Sequence, residues 1–468
     1  MTQFQIWLFL LCLCVISFFS CNQSDLENLC DPKSDQYKDS LLLRYINFDE
    51  SPHCGVVLKV NPPTYLICPP LIPKRNGIYF FESFETDGNR LSFSSNPPLP
   101  PGVVFSLFAN SLEGTYNGWK ANQVQFTITA SNPKGSASCV YKPAWMGKTP
   151  PKTNITVCYN AGGNIDATCT GIPGQDGQLQ RGINTSFVGP TLVSGGEITT
   201  DLVTGLVWTS CHRGRTGIGC GTPGTETFTY AGAQTECTSL NAGSGFADRT
   251  DWRVPEIEEY LTTFDHTTEN PSINSTYFPQ TASFNYKSNT SNAASTGAFY
   301  PTYIQSSIGF GNYSDMHYLR CVATPRNTFI KRFIDQLDGT ILDLDTALLW
   351  QKCTAGQPNV ATCSGGTDSA FQWSAAINYC QSLSLAGKTW RLPNANELIS
   401  LKDFRFNFGT PGFNALYFPN TASASFWSSS PVLGNPSTQA YVTDFGGSGG
   451  GPTLKTDASV RTRCVTDY

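Results

Sequence analysis

Charge is scarce in this sequence: Asp, Glu, Lys and Arg make up 14% of its 468 residues, and the formal net charge is −5. Nucleic-acid binding by counterion release needs a dense basic face, so no nucleic-acid partner is expected. Histidine is rarer still. His53, His212, His266 and His317 are dispersed without H-E-x-x-H or any i, i+4 partner, which argues against a paired-histidine zinc site. No C-x-x-C spacing occurs among the 17 cysteines, so a cysteine metal cluster is not expected either. No metal or other cofactor is predicted. What the chain has in quantity is glycine, proline and cysteine, with 42 Gly and 30 Pro. That composition predicts two to four domains built mainly of strands and loops.

The N-terminus carries an apolar run, Ile6 to Phe19, broken only by Ser17. Fourteen residues fall short of the roughly 20 that span a bilayer as a helix, so residues 1–20 read as a signal peptide. Ser20 before Cys21 resembles a bacterial lipobox, with Cys21 as the lipidation site and residues 21–51 as a tether. Phe18 stands where Leu is usual, and secretion without a lipid is the alternative. If Cys12 and Cys14 leave with the signal and Cys21 is acylated, 14 cysteines remain, an even set that can pair completely. Disulfides persist in oxidising compartments, so export to the outer membrane or cell surface is expected, with the lipid anchor as the only membrane contact.

Self-similarity dominates the remainder. Cys211, Cys220, Cys237 and Cys321 are mirrored by Cys353, Cys363, Cys380 and Cys464, with separations of 17 and then 84 residues after the second cysteine in both sets. Asp201 to Trp208 answers Asp343 to Trp350, Trp252-Arg-Val-Pro255 answers Trp390-Arg-Leu-Pro393, and Tyr277-Phe-Pro279 answers Tyr417-Phe-Pro419. Each copy has the length of a whole domain, and the boundaries are set at 183–325 and 330–468.

Within the second copy, Asp338-Gly339 predicts a type I′ hairpin turn, and Gly195-Gly196 serves the first. Trp373, Ile377, Cys380 and Leu383 recur at helical spacing. Asn394 to Leu401 forms a second helix with Pro393 suited to its first turn, and Ser459 to Val465 supplies a closing strand. Pairing Cys380 with Cys464, and Cys237 with Cys321, would tie the first helix of each copy to its last strand. Cys211 with Cys220 and Cys353 with Cys363 are then the local pairs.

This succession of hairpin, helix, W-R-L-P, second helix, long loop and closing strand resembles the Lcl C-terminal domain family, named after a collagen-like bacterial adhesin. The resemblance runs from about Cys158 to Val465 and includes Gly174 to Gln180, Trp390 to Leu398, Phe426-Trp-Ser-Ser429 and both Arg-Cys-Val ends. It implies a C-type-lectin-like fold, in which the helix-to-last-strand bridge frames the domain. Calcium-dependent sugar binding does not follow, because Trp427 precedes two serines and hard cations need oxygen ligands in number. Residues 148–182 form a lead-in, with Cys158 and Cys169 bridging a hairpin.

Upstream, Leu99-Pro-Pro-Gly102 and the alternating Val124, Phe126, Ile128 and Ala130 resemble a bacterial immunoglobulin-like domain over 52–147, with Trp119 in its core. Cys68 and Cys139 are placed to pair there, though with Cys30 and Cys54 three connectivities are open. The expected fold is therefore multidomain: an Ig-like β-sandwich followed by two disulfide-framed α+β C-type-lectin-like domains.

No catalytic residues emerge. Gly446 to Gly450 fits G-x-S-x-G, but Gly451-Pro452 follows where a hydrolase elbow needs a helix. Glu256, Glu258 and Glu259 open a helix and complement its dipole. W-R-L-P also occurs in formylglycine-generating enzymes, whose oxidase chemistry needs unpaired cysteines. The chain is therefore expected not to be an enzyme but a surface lipoprotein that binds an extracellular glycan or matrix protein, with a structural envelope role as the alternative and a formylglycine-generating-enzyme-like oxidase as the third reading. Residues 183–325 hold 6 basic against 12 acidic residues, and 330–468 hold 10 against 10, so a polyanion should avoid the first copy. Tyr313, His317, Asn435 and Tyr441 in the long loops are the candidate contacts.

Overall fold

A computed structural model describes residues 30–106, 109–122, 124–224, 226–324, 331–447 and 449–468. The apolar run and Cys21 lie outside the described residues. The chain is mostly β and disulfide-rich, with helix limited to 12%.

Segment 21–51 contains a helix, Asp35–Ile46, capped by the Ser34 hydroxyl, which accepts from the Tyr37 N–H at 3.2 Å. It is fixed along one side, where Tyr37 stacks on His53 and the Cys30–Cys54 disulfide closes the following loop. Two three-stranded antiparallel sheets follow. Ser111–Thr115 is central in one, and Phe126–Asn132 is central in the other. Phe126, Ile128 and Ala130 point inward and share a single core with Phe80, Val103 and Leu112 of the facing sheet. Cys68 and Cys139 are joined. Two sequence expectations are corrected here. Val124 precedes the strand and is exposed, and the indole at the centre of this core is Trp145, packed on Phe80, Tyr116, Phe126 and Tyr141. Trp119 lies instead among Leu206, Trp208 and Leu261 of the first repeat. Alternation could not distinguish a residue that fills a core from one buried between units.

Each repeat builds a four-stranded antiparallel sheet of the same order. Phe187–Val193, Gly196–Asp201 and Val207–Thr209 are completed by Val322–Ala323, and Phe333–Asp335, Thr340–Asp343 and Leu348–Gln351 by Val465–Asp467. The last strand therefore begins after the final cysteine, not at Ser459. The two-residue turn of the first copy is Ser194-Gly195, both at positive φ. In the second copy the loop is longer: Leu337 and Gly339 have positive φ, Asp338 does not, and the Asp338 carboxylate accepts from the Thr340 N–H. The two positive-φ residues flank Asp338, whose side chain caps the turn between them.

The recurring motifs have local causes. Asp201 accepts from the Val203 N–H and the Thr204 hydroxyl, turning the chain between strands so that Trp208 enters the core. Arg253 and Arg391 hold Glu259 and Glu397 through two bonds each, at 2.6–2.7 Å. Those glutamates close capping boxes at the helices Ile257–Tyr260 and Ala395–Ser400. W-R-x-P is thus a helix-starting device. Asn394 is the cap of the second helix, so Pro393 stands just before it and not in the first turn. The longer helices, Tyr230–Ser239 and Trp373–Ser382, bury Cys237 and Cys380, which are bonded to Cys321 and Cys464. Leu383 lies just past the latter helix, at its C-cap.

The repeats are not separate beads. Strands Ala298–Thr302 and Ser307–Gly311 of the first and Ser425–Pro431, Gln439–Asp444 and Gly450–Leu454 of the second form one five-stranded sheet, joined where Ile308 pairs with Gly450. Phe299 packs on Phe404 and Phe310 on Phe408 across the same seam, with ring centroids 5.1 and 4.5 Å apart. The second repeat also holds the N-terminal sandwich. Gly147 donates to the Leu344 carbonyl, Arg332 donates to the carbonyls of Asn122 and Pro143, and Ala121, Ala144 and Met146 join its core. The Cys158–Cys169 hairpin region docks there too, with Asp176 accepting from Ser430.

Candidate binding groove and the seam between the repeats

An open concavity of about 690 Å³ lies on the second repeat and falls within the roughly 300–1,000 Å³ of small-molecule sites. One wall is the loop closed by Cys353 and Cys363. The Gln357 amide fixes it, accepting from the Thr354 N–H at 2.9 Å and donating to the Asn420 carbonyl at 2.7 Å. Asn420, at φ 53°, donates to the Cys363 carbonyl at 3.0 Å. Pro411, Phe413 and Ala415 supply an apolar side. Asp368 forms part of the rim, paired with Arg461 at 2.6 Å, both about three-quarters buried.

Beneath the groove lies Arg463, fully buried. It donates to the carbonyls of Gln351 and Lys352 and to the hydroxyls of Thr354 and Thr421, with its guanidinium over Phe413 and Phe418. A buried cation without an acid is tolerated because carbonyl dipoles and ring faces replace its hydration. Arg320 repeats the arrangement in the first copy with Thr209, Ser210, Thr281 and Phe278. The surroundings then diverge. Three residues before the final cysteine, Arg461 is replaced by Tyr318, which packs on His212, Phe284 and Tyr286. The ion-paired rim belongs to the second copy and the aromatic cluster to the first.

The sequence-derived contacts do not converge. Tyr313 and His317 share one turn of the first repeat. The Tyr313 ring lies 4.6 Å from Tyr230, and His317 is buried 4.5 Å from Tyr300, with burial lowering its pKa to about 4. Asn435 is exposed at the turn before Gln439–Asp444. Tyr441 is 4% exposed, its ring 4.8 Å from His266 across the seam. It packs the repeats together and is not a surface contact. His266 itself donates from Nε2 to Asn396 Oδ1, 3.0 Å away, and burial lowers its pKa to about 4. The seam residues Arg405, which bonds Glu258, and Lys402, held over Phe406, were not singled out from sequence. Arg320 and Arg463 could have been found there, since both stand in the repeated Arg-Cys-Val.

Cys211–Cys220 lies beside Glu197, whose carboxylate accepts from the Gly219 N–H at 2.9 Å. Both sulfurs are in the bridge, so neither is available as a thiolate ligand.

Two stretches of the chain, 197–323 and 339–466, each match the family model described as the Lcl C-terminal domain, together more than half of the sequence. The chain belongs to the Lcl C-terminal domain family. The matched Lcl domains begin one strand into each repeat sheet and end within the closing strand, leaving the Cys158–Cys169 hairpin outside the match. No curated protein matches the sequence. The crystal structure of the SrpA adhesin from Streptococcus sanguinis aligns with 32% of this chain and 87% of its own, at 14% identity and a TM-score of 0.19. That score is too low to carry fold or function across.

Proposed function

We propose that this chain is a cell-surface lipoprotein, anchored through Cys21, whose two Lcl domains bind an extracellular glycan or matrix protein, with the groove of the second domain as the principal seat. In this reading each Lcl domain is C-type-lectin-like and residues 52–147 are an Ig-like sandwich packed on the second of them. The observation that carries the binding role is the groove itself: an open concavity of about 690 Å³ with amide and hydroxyl groups on one side and apolar surface on the other. Such a lining suits a ligand held by hydrogen bonds and contact, with no strong net charge. Seven disulfides support the surface location, since that number persists only in an oxidising compartment. They also support binding over oxidase chemistry, because every cysteine among the described residues is paired.

The test is a glycan and matrix-protein screen with the processed chain, residues 22–468, beside Ala415→Trp, which places a large ring on an exposed groove position. A ligand captured by the wild type and lost in the variant supports the reading. Uniform absence of binding with all seven bridges intact overturns it in favour of a structural envelope role.

A further inference from the structure

A second pocket, of about 140 Å³, opens where three parts of the chain meet. Ile155 and Val157 come from the segment leading into the Cys158–Cys169 hairpin, and Pro431, Leu433 and Pro436 from the turn between Ser425–Pro431 and Gln439–Asp444 of the second Lcl domain. The first domain contributes His266. These walls are held in place. Lys455 donates to the Pro436 carbonyl at 2.7 Å, and the Gly434 N–H donates to Glu269 of the first domain at 2.6 Å. Among the described residues no Asp, Glu, Lys or Arg lines the pocket, so it suits an uncharged, largely apolar group. Its volume limits that group to one ring, since an apolar cavity of roughly 150 Å³ takes benzene.

His266 adds one polar requirement. Asn396 donates from Nδ2 to the Pro151 carbonyl at 3.0 Å, which turns its Oδ1 toward the imidazole. His266 therefore carries its proton on Nε2, where it donates to that oxygen. Nδ1 is left as a bare acceptor. It faces away from Asn396, is buried, and has no hydrogen-bond partner among the described residues. Buried polar atoms are nearly always paired, so an acceptor left over beside an apolar pocket points to a donor on what the pocket holds. A ring of the permitted size with a single donor is a phenol.

We propose that this pocket binds a phenol-type ring, its walls enclosing the ring and His266 Nδ1 accepting the hydroxyl. The pocket shares no lining residue with the groove of the second domain and does not depend on what that groove holds. Because both Lcl domains and the lead-in hairpin segment line it, an occupant also ties the three together.

The experiment is ligand-observed NMR titration of the full chain at pH 7, its disulfides verified by mass, with phenol and with toluene, which has nearly the same shape and no donor. A merely apolar pocket favours toluene, the more hydrophobic of the two. The expected result is at least threefold tighter binding of phenol, a preference reversed in His266→Phe, which keeps a ring and removes the acceptor. Leu433→Trp changes a wall residue that is 42% exposed and should abolish binding of both. It keeps the test open where His266→Phe does not fold. Toluene bound as tightly as phenol, phenol binding undiminished by Leu433→Trp, or no binding of either by the wild type overturns the proposal. N-acetyltyrosinamide bound at least as tightly as phenol supports it and assigns the ring to a tyrosine side chain of a polypeptide; weaker binding of the amide assigns it to a free phenol.

Discussion

His266 Nε2 lies 3.0 Å from Asn396 Oδ1, a bond between residues 130 positions apart that crosses the seam joining the two Lcl domains. The imidazole is buried, and burial lowers its pKa from 6.5 to about 4. Unfolded chains take up a proton near pH 6.5 that the folded chain refuses until about pH 4. The stability tied to neutral His266 is therefore complete above about pH 6.5 and is lost as pH falls toward 4, by about 3 kcal/mol at most. His266→Gln keeps a hydrogen-bonding group and removes the titration. Its urea midpoint should fall less between pH 7 and pH 4.5 than that of the wild type. Asp176 and Asp343, pushed up to about 6 by burial, act in the opposite sense in both proteins and cancel in the comparison. Identical slopes for the two proteins would refute the assignment.

Arg463 donates to two buried carbonyls and two buried hydroxyls. Arg463→Met removes the charge while leaving those acceptors buried, and a loss of about 3–5 kcal/mol is expected in urea denaturation. Arg320→Met should cost a similar amount in the first domain. A loss under about 1 kcal/mol would mean that water replaces the guanidinium freely.

The bridges differ in the length of chain they close. Cys380–Cys464 spans 84 residues and Cys353–Cys363 spans 10. In the chain-entropy model their removal costs about 4–5 and about 3 kcal/mol. Paired Cys-to-Ala variants measured by thermal unfolding should therefore rank in that order. Equal or reversed losses would show that the local bridge has a larger role, such as holding the groove wall.

Phe404 is fully buried with its ring against Phe299 of the other repeat. Phe404→Ala should cost about 3–5 kcal/mol. A double-mutant cycle with Phe299→Ala should return a coupling of about 0.5–1.5 kcal/mol. Zero coupling would indicate that the repeats fold without regard to each other.

Much of the architecture was legible because its determinants are local or periodic. Cysteine spacing marked the repeats, period-two alternation marked Phe126 to Ala130, and W-R-x-P marked the start of the second helix. What escaped depends on pairings remote in sequence. Nothing near Trp119 shows that it packs on the first repeat while Trp145 fills the sandwich, since both read as buried aromatics. Tyr441 looked like a loop residue because its partner, His266, belongs to the other domain. The groove was equally hidden. Gln357, Asp368 and Asn420 are ordinary polar residues until a disulfide and two amide bonds bring three loops together.

The sandwich is hydrogen-bonded to the second Lcl domain and meets the first through the packing of Trp119, which also sets how the molecule carries load. Tension between an anchor at the N-terminus and a ligand seated in the groove would run through the Gly147–Leu344 and Arg332–Asn122 contacts into the second domain. The first domain, though earlier in the chain, touches the sandwich by apolar packing at Trp119 and is braced from the side by the shared sheet. Mechanically it is a buttress, and its own surface can vary without weakening the path that bears the pull.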